Sequence, residues 1–163
     1  MKKLVLAALA VAALSTAPIQ TQAQVVVGPH VAYHTDDVGV GVGGFAVFPL
    51  TSVHQSLAIL VDGTLFFPDG FDFMEFSGSG VFSFPMGEGA SVSPFVMAGV
   101  TYGRVSVEIA GDDVSSSDTD LSVGGGLSFL NLGSIQPAVG LRAVLADETG
   151  LEFFAGLGFP LGG

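Results

Sequence analysis

Cysteine is absent from the 163-residue chain, which excludes disulfide staples and thiolate metal centres. Basic residues are scarce: four Lys and Arg stand against fifteen Asp and Glu. Without clustered Lys and Arg there is nothing to grip a phosphate backbone, so nucleic acid is not an expected partner. After residue 23 no uninterrupted apolar run is long enough for a transmembrane helix, although 49% of the chain is hydrophobic. If so oily a chain meets a membrane, only a closed β-barrel remains, because lipid offers no partners to unpaired backbone groups.

What is present begins with Lys2 and Lys3, the apolar run 4–13 and the small-residue stretch Thr21-Gln22-Ala23. That order reads as a secretory signal peptide cleaved after Ala23, with residues 1–23 removed and 24–163 forming one mature domain. The apolar run falls short of the roughly 20 residues that a spanning helix needs, and polar Ser15, Thr16, Gln20 and Gln22 follow it. Cleavage removes both lysines. Arg104 and Arg142 then face all fifteen carboxylates, a net charge of −13.

The mature region alternates with period two, the signature of strands. Eight segments are expected, over 25–35, 38–48, 56–67, 72–84, 93–109, 120–130, 135–146 and 151–161, separated by turn signals such as Pro68-Asp69-Gly70 and Asn131-Leu132-Gly133. In the fourth, Met74, Phe76, Gly78, Gly80, Phe82 and Phe84 share one face, and Glu75, Ser77, Ser79, Val81 and Ser83 the other. A soluble sandwich also alternates, but its outer face carries charge, notably Lys. Here the polar face is Gly, Ser and Ala, suited to a narrow lumen. The reading is an all-β, eight-stranded antiparallel up-and-down transmembrane β-barrel with a lumen filled by side chains.

Each even-numbered segment ends alike, in Phe45-Ala46-Val47-Phe48-Pro49, Phe82-Ser83-Phe84-Pro85, Leu127-Ser128-Phe129-Leu130 and Leu157-Gly158-Phe159-Pro160. Phe48, Phe84, Phe129 and Phe159 are therefore expected to form an outward aromatic girdle on the rim that carries the termini, the periplasmic one. The opposite rim is acidic, with Asp36, Asp37, Asp69, Asp72, Asp112, Asp113, Asp118, Asp120, Asp147 and Glu148, against Glu88 alone on the girdle side. Residues 110–119 read as the longest connection, an external loop on the acidic side, matching the rule of short periplasmic turns and longer external loops.

These strands resemble those of the small outer-membrane β-barrel family, the porin-like group that includes the transmembrane domain of outer membrane protein A. The likeness rests on the run Pro94-Phe95-Val96-Met97-Ala98-Gly99-Val100-Thr101-Tyr102-Gly103, on Gly124-Gly125-Gly126-Leu127, and on Pro137-Ala138-Val139-Gly140-Leu141-Arg142. It spans the mature chain and implies a bacterial outer-membrane location. Members often end on an aromatic residue used in assembly; here Phe159 is followed by Pro160-Leu161-Gly162-Gly163.

Buried charge is the best-defined constellation. Asp62 and Glu75 are expected nearly opposite each other across the Pro68-Asp69 turn, both on the polar face, Arg142 and Glu152 are near neighbours about the Asp147 turn, and closure sets the two pairs across the lumen. Arg142 is expected to meet Asp62, Glu75 and Glu152 inside, since isolated buried charges are costly. The role is packing. Asp112, Asp113, Asp118 and Asp120 form a possible external cation loop for Ca²⁺, without the spacing of an EF-hand. Arg104, Ser106 and Glu108 share the parity of lipid-facing Val96 and Tyr102, and a bulge near Gly103 would turn them inward.

His30 and His34 lie on one strand face roughly 13 Å apart, too far to chelate one ion. His54-Gln55-Ser56 has the His-x-Ser spacing of lipid A deacylases but sits at a periplasmic turn, away from the outer leaflet. Gly39-Val40-Gly41-Val42-Gly43 lies inside a strand and opens no helix, as a phosphate loop would. No catalytic residues, metal ligands or cofactor are expected. The reading is a monomeric, non-enzymatic barrel in outer-membrane lipid, with acidic external loops for lipopolysaccharide or divalent cations. A small pore, a lipid-modifying barrel enzyme and a soluble secreted β-sandwich are the alternatives.

Overall fold

The computed structural model describes residues 24–35, 38–87, 89–109, 112–130, 134–147 and 149–161. Residues 1–23, expected as a signal peptide, together with Asp36, Asp37, Glu88, Asn131-Leu132-Gly133 and Glu148, lie outside them, as do the side chains of Glu108, Ile109, Asp112 and Asp113. Eight strands run in order: β1 (Val25–His34), β2 (Gly39–Pro49), β3 (Leu57–Phe66), β4 (Asp72–Ser83), β5 (Val92–Ile109), β6 (Asp112–Phe129), β7 (Gln136–Leu145) and β8 (Gly150–Leu161). Each pairs antiparallel with the next, and β1 pairs with β8 to close the barrel. Seven of the eight strands lie within about two residues of their expected bounds.

The exception is β6. Residues 112–119, expected in a loop, continue β6, and β5 and β6 pair without interruption from Val92↔Phe129 to Ile109↔Asp112. Val107 and Val114 among the hydroxyls favour strand over coil, because β-branched residues fit a pleated surface. The tip stands clear of its neighbours: β4 pairing stops at Asp72↔Ser106, and β7 pairing starts at Leu121↔Leu145.

Loop lengths also reverse the expectation. Connections on the rim of the termini span six to eight residues (50–56, 84–91, 130–135), and those on the opposite rim two to five (35–38, 67–71, 110–111, 146–149). The acidic side projects a strand pair where a long loop was expected. In the β3–β4 turn Gly70 adopts φ 88°, a left-handed conformation that a side chain would strain.

Burial is inverted relative to a water-soluble protein. Among the described residues the buried polar or charged side chains include His30, Asp62, Thr64, Glu75, Ser77, Thr101, Ser122, Arg142 and Glu152, while only seven hydrophobic residues are buried. The outward parity carries Val31, Tyr33, Val61, Phe76, Val100, Leu121 and Phe153, all exposed. The backbone accounts for itself by strand pairing, so the exterior is both oily and hydrogen-bond satisfied.

Candidate functional site: a charged layer across the lumen

The inward parity is even in β1, β3, β6, β7 and β8, and odd in β2, β4 and β5. It brings polar side chains from seven strands to one level: His30, Asp62, Thr64, Glu75, Ser77, Thr101, Ser122, Arg142 and Glu152. Arg142, only 2% exposed, is the hub. Its Nη2 donates to Asp62 Oδ1 at 2.6 Å and its Nη1 to Asp62 Oδ2 at 3.1 Å, a two-pronged grip that matches the planar guanidinium to the planar carboxylate. Nη1 also reaches Ser77 Oγ at 2.9 Å and Glu75 Oε1 at 3.4 Å.

Glu152, the registered neighbour of Arg142 across the β7–β8 pair, lies 3.6 Å from Nη1 and interacts by charge alone. The Phe154 ring lies with its centroid 6.0 Å from the guanidinium carbon. A hydroxyl relay continues around the wall: Ser77 and Thr101 lie 3.0 Å apart, and Thr101 Oγ1 donates to Ser122 Oγ at 3.1 Å. On the other side His30 Nε2 meets Thr64 Oγ1 at 2.7 Å. Arg142 Nε, Glu152 Oε2 and Ser79 Oγ are buried without a hydrogen-bond partner.

Arg142, Asp62, Glu75 and Glu152 thus stand together. In register Asp62 faces Ser77 and Glu75 faces Thr64, so the two carboxyls are diagonal rather than opposite. Sequence reasoning passed over Ser77, Thr101, Ser122 and the His30–Thr64 pair. Their signal was available: each is a small polar residue on the inward parity at the level of a charge.

The other candidates fall elsewhere. Phe48, Phe84, Phe129 and Phe159 take the outward parity at the rim of the termini, with Phe84 packed edge-on against Phe82 at 5.4 Å. Arg104 and Ser106 face outward with Tyr102, because the uninterrupted register contains no bulge. His34 packs against Phe66 and Phe73, ring centroids 5.9 and 6.1 Å away. His54 accepts the Ser56 backbone N–H on its Nδ1 at 3.1 Å, within the β2–β3 connection. Asp118 and Asp120 take the inward parity of β6 beside Ser116, and among the described residues no three His, Cys, Asp or Glu converge to hold a metal.

The lumen is packed at the charged layer and by the clusters Ala32, Val38, Phe66 and Val81, Phe95, Met97, but a cavity remains on each side of the charged layer, which corrects the expectation of a core packed throughout. Towards the acidic rim lies a vestibule of about 250 Å³ bordered by His34, Glu75, Thr101, Asp118 and Asp120. Towards the termini lies a chamber of about 140 Å³ walled largely by apolar side chains.

No family model matches the sequence, and no curated protein matches it. Among solved structures, the N-terminal β-barrel domain of Pseudomonas aeruginosa OprF superposes with a TM-score of 0.68 at 15% identity, over 86% of this chain and 100% of that one. Neisserial surface protein A gives 0.66 at 18% identity over 86% and 98%. The attachment invasion locus protein Ail of Yersinia pestis gives 0.63 at 16% identity over 85% and 97%. The closed antiparallel eight-stranded topology and its length-for-length match to these structures give this chain the fold of the small outer-membrane β-barrels.

Proposed function

We propose that the chain is a non-enzymatic, monomeric barrel that spans a bacterial outer membrane and serves a structural or surface-contact role. The inversion of polarity carries this reading. A closed wall with Arg142, Glu75 and Glu152 sealed inside and a continuous coat of Val, Leu, Phe and Tyr outside minimises free energy in lipid, not in water. OprF, NspA and Ail supply a fold precedent for that setting. Heat-modifiable gel migration of the membrane fraction tests it: the unboiled protein should run apart from the boiled one and require detergent for extraction. A single boiled-like band, or release by salt alone, would overturn the reading.

The acidic rim is the surface proposed to make contact. Asp69 and Asp147 lie in its connections, Asp72 opens β4, and Asp112, Asp113, Asp118 and Asp120 lie along the projecting strand. Such a rim favours divalent cations and, through them, the phosphate groups of lipopolysaccharide. Calorimetric titration with Ca²⁺ should give binding heat that falls when the β5–β6 tip is exchanged for a two-residue turn. No heat from the intact chain would dispose of this contact.

A further inference from the structure

The chamber between the charged layer and the rim of the termini is no simple packing fault. Three phenyl rings, of Phe45, Phe95 and Phe154, line it, with Leu60 and Val81. Each ring lies back against the wall over a glycine. A Cβ built on Gly126 would come within 2.8 Å of the Phe95 ring, one on Gly156 within 2.8 Å of Phe45, and one on Gly140 would overlap the Phe154 ring. Gly126 and Gly140 are the registered partners of those same phenylalanines, Phe95 and Phe154. Where a side chain one or two strands away would have pushed each ring towards the axis, glycine lets it fold sideways and leaves the axis open.

The level below is also kept small, by Ala58, Ser83, Ser128 and Ala138, which border the chamber within three residues of their strand ends. The chamber therefore reaches the rim of the termini, and the Arg142 layer closes its other end. Its side walls are mainly aromatic and aliphatic, with His30, Asp62, Arg142 and Glu152 gathered at the closed end, and a void of this size among phenyl rings has room for a single-ring hydrocarbon.

We propose that this chamber is a binding site for a small uncharged hydrophobic molecule, of the size of one aromatic ring, stacked among Phe45, Phe95 and Phe154. The ligand enters from the rim of the termini and stops at the guanidinium of Arg142. Its chemistry is that of any hydrocarbon of this size, so two sources need separating: a free molecule and the end of a lipid chain.

Alanine methyls are the natural reporters. Ala58 and Ala138 line the chamber, whereas Ala98 and Ala155 are exposed on the outer wall. With alanine-methyl-labelled protein in nanodiscs of deuterated lipid, benzene should give intermolecular NOEs to Ala58 and Ala138 that saturate with concentration. Those to Ala98 and Ala155 should grow in proportion to benzene partitioned into the lipid. Ala58→Leu should abolish the saturable signal at Ala138, and Ala138→Leu, as a second variant, that at Ala58. Absence of chamber NOEs, proportional growth at all four methyls, or NOEs from water alone would overturn the proposal. A benzene-free sample in protonated lipid makes the remaining distinction: acyl-chain NOEs to Ala58 and Ala138 would show the site to be lipid-filled and overturn the free-ligand assignment.

Discussion

Arg142 shows how one residue constrains a whole interior. Its guanidinium has two prongs on Asp62 and further contacts to Ser77 and Glu75, and removing it leaves the carboxyls of Asp62, Glu75 and Glu152 buried at one level without their cation. Breaking a buried ion pair from one side costs about 3–5 kcal/mol, more than either partner contributes when both are replaced. Arg142→Leu should therefore lose about 3–5 kcal/mol in urea unfolding of the barrel in detergent, and Arg142→Leu combined with Asp62→Leu should recover part of that loss. Equal stability of wild type and Arg142→Leu would remove the structural role.

The four charged residues were legible in the sequence because each broke an alternation of small side chains with a carboxylate or a guanidinium. Alternation fixes the face, and short turns fix the neighbours. What the sequence left open was the offset between facing strands: Asp62 meets Ser77, not Glu75. That offset follows from where the turn closes: the connection 67–71 sets Phe66 opposite Phe73, and every pair below it follows. Nor did it reveal the two cavities. Whether Phe45 or Phe154 fills the axis depends on a glycine one or two strands away, and no local pattern records that.

At the scale of elements, the β5–β6 hairpin is the departure. A run of Ser, Asp and Thr suggested a solvated loop, yet Val107↔Val114 and Ser106↔Ser115 continue the ladder. Cross-strand pairing with β-branched partners outweighs the turn preference of Ser and Asp when the opposite strand is already in place. Beyond Ser106 and before Leu121 this tip pairs with neither β4 nor β7, so it adds little to the wall. Replacing residues 106–115 by Asn-Gly should leave heat-modifiable migration intact and change stability by less than about 1 kcal/mol, as for surface changes remote from any packed feature. A larger loss would mean that the projecting strands brace the barrel. Arg104, by contrast, remains within the β4 ladder opposite Met74, and its outward direction follows from the parity of Tyr102 without a bulge.

For the molecule as a whole, the charged layer spans the lumen from β1 to β8, and the two cavities lie on either side of it. A continuous water path requires that layer to part. Planar-bilayer recordings of the intact protein should therefore show no sustained ion current, and Arg142→Ala, which removes the hub and opens space at the same level, should raise the frequency of openings. Steady conductance from the intact chain would contradict the barrier drawn here. Eight strands, their order and an oily exterior could be read from periodicity because those features repeat along the chain. Rim geometry could not: the connections on the acidic side turned out the shorter set, because hairpin length answers to stagger at the rim as well as to turn-forming residues.

The grip of Arg142 on Asp62 joins residues 80 positions apart, and it has a temporal meaning. While β7 and β3 sit on an unclosed ribbon, the curvature that carries one to the other does not yet exist, and this anchor has no way to form. The seam between the first and last strands and the bond through the middle must therefore mature together. A half-wound intermediate has neither, and gains little from lingering.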